Sequence, residues 1–189
     1  TLRPARQPSE PAFESLNGMQ NLTGLTSLSM FNRLITDISP LRHLTKLSSL
    51  VLHTNWISDI EPLSELINLE RLIISENPIS DISPLEGLTK LRQLHVHGLY
   101  PNQLNYWLAI DDGRDPNVVF NGITDISPLA SLTEMRLLRI HLNDIEDISP
   151  LANLTKLIHL RLYDNQIEDI SPLSGMSEME QLSLNDNGI

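Results

Sequence analysis

Apolar side chains recur along this chain on a fixed 22-residue beat. Counted from the first leucine of each unit, the pattern reads L-x-x-L-x-L-x-x-N-x-I-x-D-I-x-P-L-x-x-L-x-x. Full units begin at Leu25, Leu47, Leu69, Leu91, Gly113, Met135 and Leu157, and a further one runs from Met179 to Ile189. Phe13, Leu16, Met19 and Leu22 fall where the apolar positions of a preceding half-unit belong. A period of this length marks a solenoid, because such a unit can bury its apolar face only against its neighbours.

Within each unit the pattern changes from strand-like to turn-like, and "position" below means place within the repeat. Positions 3 to 7 alternate polar and apolar, as in Leu50-Val51-Leu52-His53, which predicts a short strand with positions 4 and 6 inward. Eight such strands stacked at about 4.8 Å predict a parallel sheet roughly 35 Å long. The asparagine at position 9 is expected to turn the chain and to serve backbone groups left free between units. Ser39-Pro40, Ser83-Pro84, Ser127-Pro128, Ser149-Pro150 and Ser171-Pro172, with Glu61-Pro62 as the variant, predict a capped helical turn, of 3₁₀ type. The aspartate at position 13 reads as a turn acceptor rather than a catalytic acid.

Units four and five keep the phase but lose the motif. Position 9 of unit four is Leu99, and Leu104, Trp107 and Ile110 occupy later apolar positions. The spacing in Asn102–Ile110 predicts an α-helical turn or two on the outer side, an exchange of content with nothing inserted. Two readings stay open for it: drift in one unit, or a bulge that tunes curvature or adds a contact. Residues 111–117 cluster side-chain oxygens but lack the spacing and closing glutamate of a calcium loop, so a polar turn is the better reading.

The run Asp-Ile-Ser-Pro-Leu-x-x-Leu-Thr-x-Leu, present with small changes at 81–91, 125–135 and 147–157, resembles the bacterial leucine-rich repeats of the internalin family. The resemblance covers residues 13–189. It implies an α/β architecture: a right-handed leucine-rich-repeat horseshoe with a concave parallel β-sheet and thin 3₁₀ or α turns on the convex side. It also implies that the concave face grips a protein on another cell and that the repeats are not enzymatic. Eukaryotic phosphatase-regulating solenoids and some multidomain bacterial GTPases carry similar repeats, so an intracellular regulatory or scaffold role is the alternative.

The outward strand positions carry the functional signal. Five of the six histidines fall there, while all three lysines sit at position 22, outside the strands. A face holding arginine, histidine, tyrosine and phenylalanine without lysine has the composition of a protein interface. Two patches emerge. Arg139 and Arg161 neighbour one another with His141, His159 and Tyr163 around them, suited to a carboxylate-bearing segment or an acidic glycan. Phe31, Val51 and Ile73 predict an exposed apolar strip, with Trp56 close by. His53 and His97 complete the expected contacts. His95 and His97 lie two residues apart, but His53 and His141 are each expected two units from His97, about 10 Å, too far to share an ion. No metal site is therefore predicted, although a pH-dependent contact is open to these histidines.

Composition narrows the reading further. The net charge of −11 argues against nucleic acid as a partner. The absence of cysteine removes thiol chemistry, cysteine zinc sites and disulfides. No apolar run reaches the roughly 18 residues a membrane span needs, and Thr1–Pro11 has no signal-peptide core. Neither a nucleophile elbow, a His-Glu-x-x-His pair nor a glycine-rich phosphate loop is present. No cofactor is called for.

These observations predict two regions: residues 1–12 as a linker or processed edge, and 13–189 as about seven full repeats with partial ones at both ends. The chain reads as an excerpt of a longer secreted or cell-surface bacterial protein. Its expected role is to bind a protein, such as a host or cell-surface protein, as a monomer. A spacer that binds nothing is the third reading.

Overall fold

A computed structural model of the chain describes residues 16–99 and 122–189. Among them, seven three-residue strands form one parallel sheet in chain order: β1 Ser27–Ser29, β2 Ser49–Val51, β3 Arg71–Ile73, β4 Gln93–His95, β5 Leu137–Arg139, β6 His159–Arg161 and β7 Gln181–Ser183. Repeat positions stay in register throughout, as in Leu50↔Leu72 and Leu138↔Leu160. The expected linker at 1–12 lies outside the described residues, as do the helical turn at 102–110 and the polar turn at 111–117.

The leucine spacing explains the opposite side. Ile38, Leu41, Leu44 and Leu47 lie three residues apart, and each is at most 1% exposed. A 3₁₀ turn has three residues per turn, so it stacks this series on one face, whereas an α-helix would rotate it away. The backbone follows: Leu41, Leu44 and Leu47 N–H groups donate to the carbonyls of Ile38, Leu41 and Leu44 at 2.8–2.9 Å. Such turns cover Ser39–His43, Glu61–Glu65, Ser83–Leu85, Ser127–Ser131, Ser149–Asn153 and Ser171–Gly175, each with proline in its first turn. Leucines from both sides meet in one continuous core from Leu16 to Met176.

The serine before each proline is not the N-cap. The isoleucine ahead of it holds that place and makes no side-chain cap bond. The aspartate at position 13 acts instead: the Oδ1 atoms of Asp37, Asp81, Asp125, Asp147 and Asp169 each accept from the serine N–H two residues on, at 2.7–2.8 Å. This is an Asx turn. The bond holds the carboxyls of Asp37, Asp125 and Asp169 below the usual aspartate range.

The expected ladder of Asn55, Asn77, Asn121, Asn143, Asn165 and Asn187 forms at every member but Asn121, which lies outside the described residues. Asn165 Nδ2 donates to the carbonyls of Leu162 and Ile140, and its Oδ1 accepts from Ile145 N–H at 3.1 Å. Asn55, Asn77, Asn143 and Asn187 repeat the arrangement. Each amide thus serves backbone groups of two successive units, and leaving one such buried group unmet costs about 1–3 kcal/mol. The left-handed residue of the turn is at position 8, one place earlier: Asn32, Thr54, Glu76, Leu142, Asp164 and Asp186 all have φ of 54–63°. Asn32, Asp164 and Asp186 suit that region, whereas branched Thr54 is a poor fit, so at Thr54 the corner is imposed by the stacked units rather than by local preference.

The expected eight-strand sheet is corrected at its centre. β4 pairs directly with β5, bringing His95 opposite Arg139 and leaving no place between them for a strand from unit five. Val96 N–H donates to Arg139 O at 2.9 Å and Arg136 N–H to Arg92 O at 2.8 Å. The outer turns meet as well, with Ser131 Oγ donating to Glu86 O at 2.7 Å. In register, Leu99 therefore holds position 9 and Gly122 position 10 of a single solenoid turn.

Candidate functional site

Because side chains alternate across a strand, positions 3, 5 and 7 of successive units line the face opposite the core. The direct β4–β5 pairing rearranges its middle. The rings of His97 and His141, expected two units apart, are stacked with centroids 4.2 Å apart. Tyr163 continues the stack at 4.1 Å from His141. Beside this ladder, Arg139 and Arg161 are register partners on β5 and β6.

The two arginines of the patch differ from other basic side chains in their partners. Away from this face, three basic side chains are matched between successive units: Arg42 with Glu61 at 2.8 Å, Lys156 with Glu134 at 2.6 Å and Arg92 with Glu70 at 4.0 Å. Arg139 and Arg161 make no ion pair or hydrogen bond among the described residues. Arg71 is held by neutral groups, its Nε donating to Gln93 Oε1 at 3.2 Å. The Gln93 amide then lies 3.0 Å from His95 Nε2. That nitrogen must accept, so the hydrogen-bond chain from Arg71 fixes His95 as a neutral imidazole.

Burial acts in the same direction. It is the main reason the His95 pKa falls to about 3, with Arg139 the next cause. His141, 3% exposed, is lowered to about 2 by burial and then by His97 and the two arginines. His97 is lowered by burial, against the opposing effects of its Gly98 hydrogen bond and of Glu76. Burial and Arg161 together lower Arg139. The positive charge of this face therefore rests on its arginines, over a floor of neutral rings.

The remaining predicted contacts divide. Phe31 is 51% exposed and stacks on His53 at 4.8 Å. Val51 is half-buried, whereas Ile73 is only 9% exposed and Trp56 only 7%. The expected open apolar strip is thus reduced to Phe31 with part of Val51, because Ile73 and Trp56 are buried. His53 Nδ1 lies 2.7 Å from Thr54 Oγ1, and that hydroxyl donates to Glu76 Oε2 at 2.8 Å. Glu76 is a nearly buried carboxylate beneath the face. His159 is half-buried, its Nε2 3.8 Å from Glu180 Oε2. Among the described residues, no group of three or more histidine or carboxylate side chains is placed to hold a metal.

His95 is not among the predicted contacts, yet it lies opposite both Ile73 and Arg139. The signal that points to it is the leucine at position 9 of its own unit. Where the asparagine ladder is interrupted, the strand of unit four shares a solenoid turn with the outer turn of unit five, and unit six supplies its next neighbour in the sheet.

Comparison with known proteins gives the class. The model for leucine-rich repeats matches residues 13–65, 67–105 and 155–189. An internalin (InlF) of Listeria monocytogenes superposes with a TM-score of 0.63 at 34% identity, over 89% of this chain and 50% of that one. Internalin C2 of the same organism gives 0.64 at 34% identity, over 88% and 74%. A plant peptide hormone receptor, RGFR1 in complex with RGF2, gives 0.65 over 89% of this chain and 30% of its own, but at 16% identity it shows the fold alone. No curated protein matches the chain. The chain belongs to the leucine-rich-repeat family, in its internalin-like class, and has the right-handed solenoid fold of that class. It spans half of the InlF structure. Such repeats serve as binding modules, and no helix among the described residues is long and apolar enough to cross a membrane.

Proposed function

We propose that this chain is the protein-recognition module of a secreted or cell-surface bacterial protein, and that it holds its partner on the concave face across β3 to β6. The observation that carries this reading is the Arg139–Arg161 pair: in register, without a counter-charge among the described residues, and flanked by the His97–His141–Tyr163 stack. Arginine and tyrosine are the residues that most often dominate binding energy at interfaces. Leaving arginines unmatched on an acidic chain favours a partner that supplies the missing charge. The likeness to internalins supports the bacterial surface setting, and the monomeric state is part of the same proposal. Phe31, with Val51 and His53, forms a second contact region at the other end of the sheet.

The test is capture of surface-exposed host proteins by the wild-type chain and by the Arg139→Glu/Arg161→Glu chain, with circular dichroism confirming that both are folded. A protein captured by wild type and lost by the variant supports the concave site. Equal capture by both rejects it.

A further inference from the structure

We propose that the segment recognised at Arg139 and Arg161 is an extended acidic peptide presenting carboxylates to the two guanidinium groups. This rests on the concave-face reading and specifies its ligand chemistry.

Three features of the patch select that chemistry. The guanidinium is a planar fork matched to carboxylate geometry, and it binds two oxygens at once. Arg139 and Arg161 come from adjacent strands, so their backbones stand about 4.8 Å apart. That is close enough for one or two acidic side chains of a single segment to engage both. Among the described residues, the histidines beside them add no competing anion: His95 is fixed neutral by Gln93, and His97 donates Nδ1–H to Gly98 O at 3.0 Å. Glu76, the buried carboxylate among the described residues, accepts from the Thr54 hydroxyl.

The surroundings favour a peptide over a long polyanion. A sulfated glycan or nucleic acid needs a run of basic contacts, and its affinity grows with each one. Here the unmatched pair stands on a chain of net charge −11, which repels a polyanion wherever it extends past the patch. A peptide segment also uses the stacked rings of His97, His141 and Tyr163 as a platform for its own apolar or planar side chains. Two buried polar atoms in the same column, Ser75 Oγ and His141 Nδ1, have no hydrogen-bond partner among the described residues.

The experiment uses the full 189-residue chain with a dye-labelled octaglutamate peptide as probe, read by fluorescence anisotropy at low ionic strength. A heparin oligosaccharide serves as the second probe. Arg139→Gln/Arg161→Gln is compared with Arg42→Gln/Arg92→Gln, which removes two arginines from outside the patch. The expected result is octaglutamate binding that weakens about tenfold or more in the first variant and stays within about twofold in the second. No octaglutamate binding, or equal weakening in both variants, overturns the proposal. Binding of heparin without octaglutamate overturns it in favour of a sulfated sugar. The failure of the wider reading is distinguishable. If Tyr163→Ala abolishes capture of a protein partner while octaglutamate fails to bind, the concave face stands and only the carboxylate assignment falls.

Discussion

At the scale of single residues, the same side chain that completes the recognition patch weakens the fold in acid. His141 is buried between His97 and Tyr163, and its pKa in the folded chain is lowered to about 2. In the unfolded chain a histidine titrates near pH 6.5. Between those values the unfolded state holds the extra proton, so stability rises with pH there and is lost as pH falls from about 6.5. His95, lowered to about 3, contributes with the same sign. Each costs about 2 kcal/mol between pH 7 and pH 5. The aspartates of the Asx turns add to this only below about pH 4, because their folded pKa values are depressed and their contribution is lost as they protonate. His141→Phe keeps an aromatic ring in the stack and removes the titration. Urea unfolding at both pH values should show the wild type losing about 2 kcal/mol more than the variant. Equal losses would show that His141 does not control the acid sensitivity.

At the scale of elements, the repeat is legible in the sequence because its physics is local. Leucines three apart dictate a 3₁₀ turn, position 9 asparagine dictates an inter-unit amide, and alternating positions dictate a strand. The position 8 corner is only half legible: Asn32, Asp164 and Asp186 favour the left-handed region, whereas Thr54, Glu76 and Leu142 adopt it under constraint from stacking. The junction of β4 with β5 is not legible. Counting by 22 keeps perfect phase through units four and five, so periodicity cannot reveal that one period is bypassed. The missing asparagine at Leu99 is the local clue, and periodicity alone reads it as exchanged content. The consequence is testable. Excising residues 100–121 joins Leu99 at position 9 to Gly122 at position 10, the normal succession within a unit. The shortened chain should give an unchanged strand signal by circular dichroism and unfold cooperatively within a few degrees of the full chain. Insolubility, or a broad non-cooperative transition, would contradict the direct junction.

At the scale of the whole molecule, the charge distribution is what ties fold to function. The chain is strongly acidic, yet its concave centre gathers arginines over neutral rings. This contrast depends on long-range geometry: His95 meets Arg139, and His97 meets His141, only because β4 abuts β5. The repeat groups Arg139, His141, His159, Arg161 and Tyr163 because they occupy adjacent regular units. It cannot place His95 and His97 beside them, since forty-four residues separate His95 from Arg139 in the chain. The apolar strip departs from expectation for a related reason, as side-chain type at a strand position does not report how deeply neighbouring units cover it.

The junction can be measured directly because the chain contains no cysteine. In a His95→Cys/Arg139→Cys chain, adjacent parallel strands put the two α-carbons about 4.8 Å apart, inside the window of about 4.4–6.8 Å for a disulfide. Mild oxidation of the chain at high dilution should consume both introduced thiols and yield, by mass spectrometry, a peptide pair cross-linked between positions 95 and 139. A regular eight-strand sheet would hold these positions about 10 Å apart. Two thiols that stay free, or that join only between molecules, would contradict the arrangement on which the concave site is built.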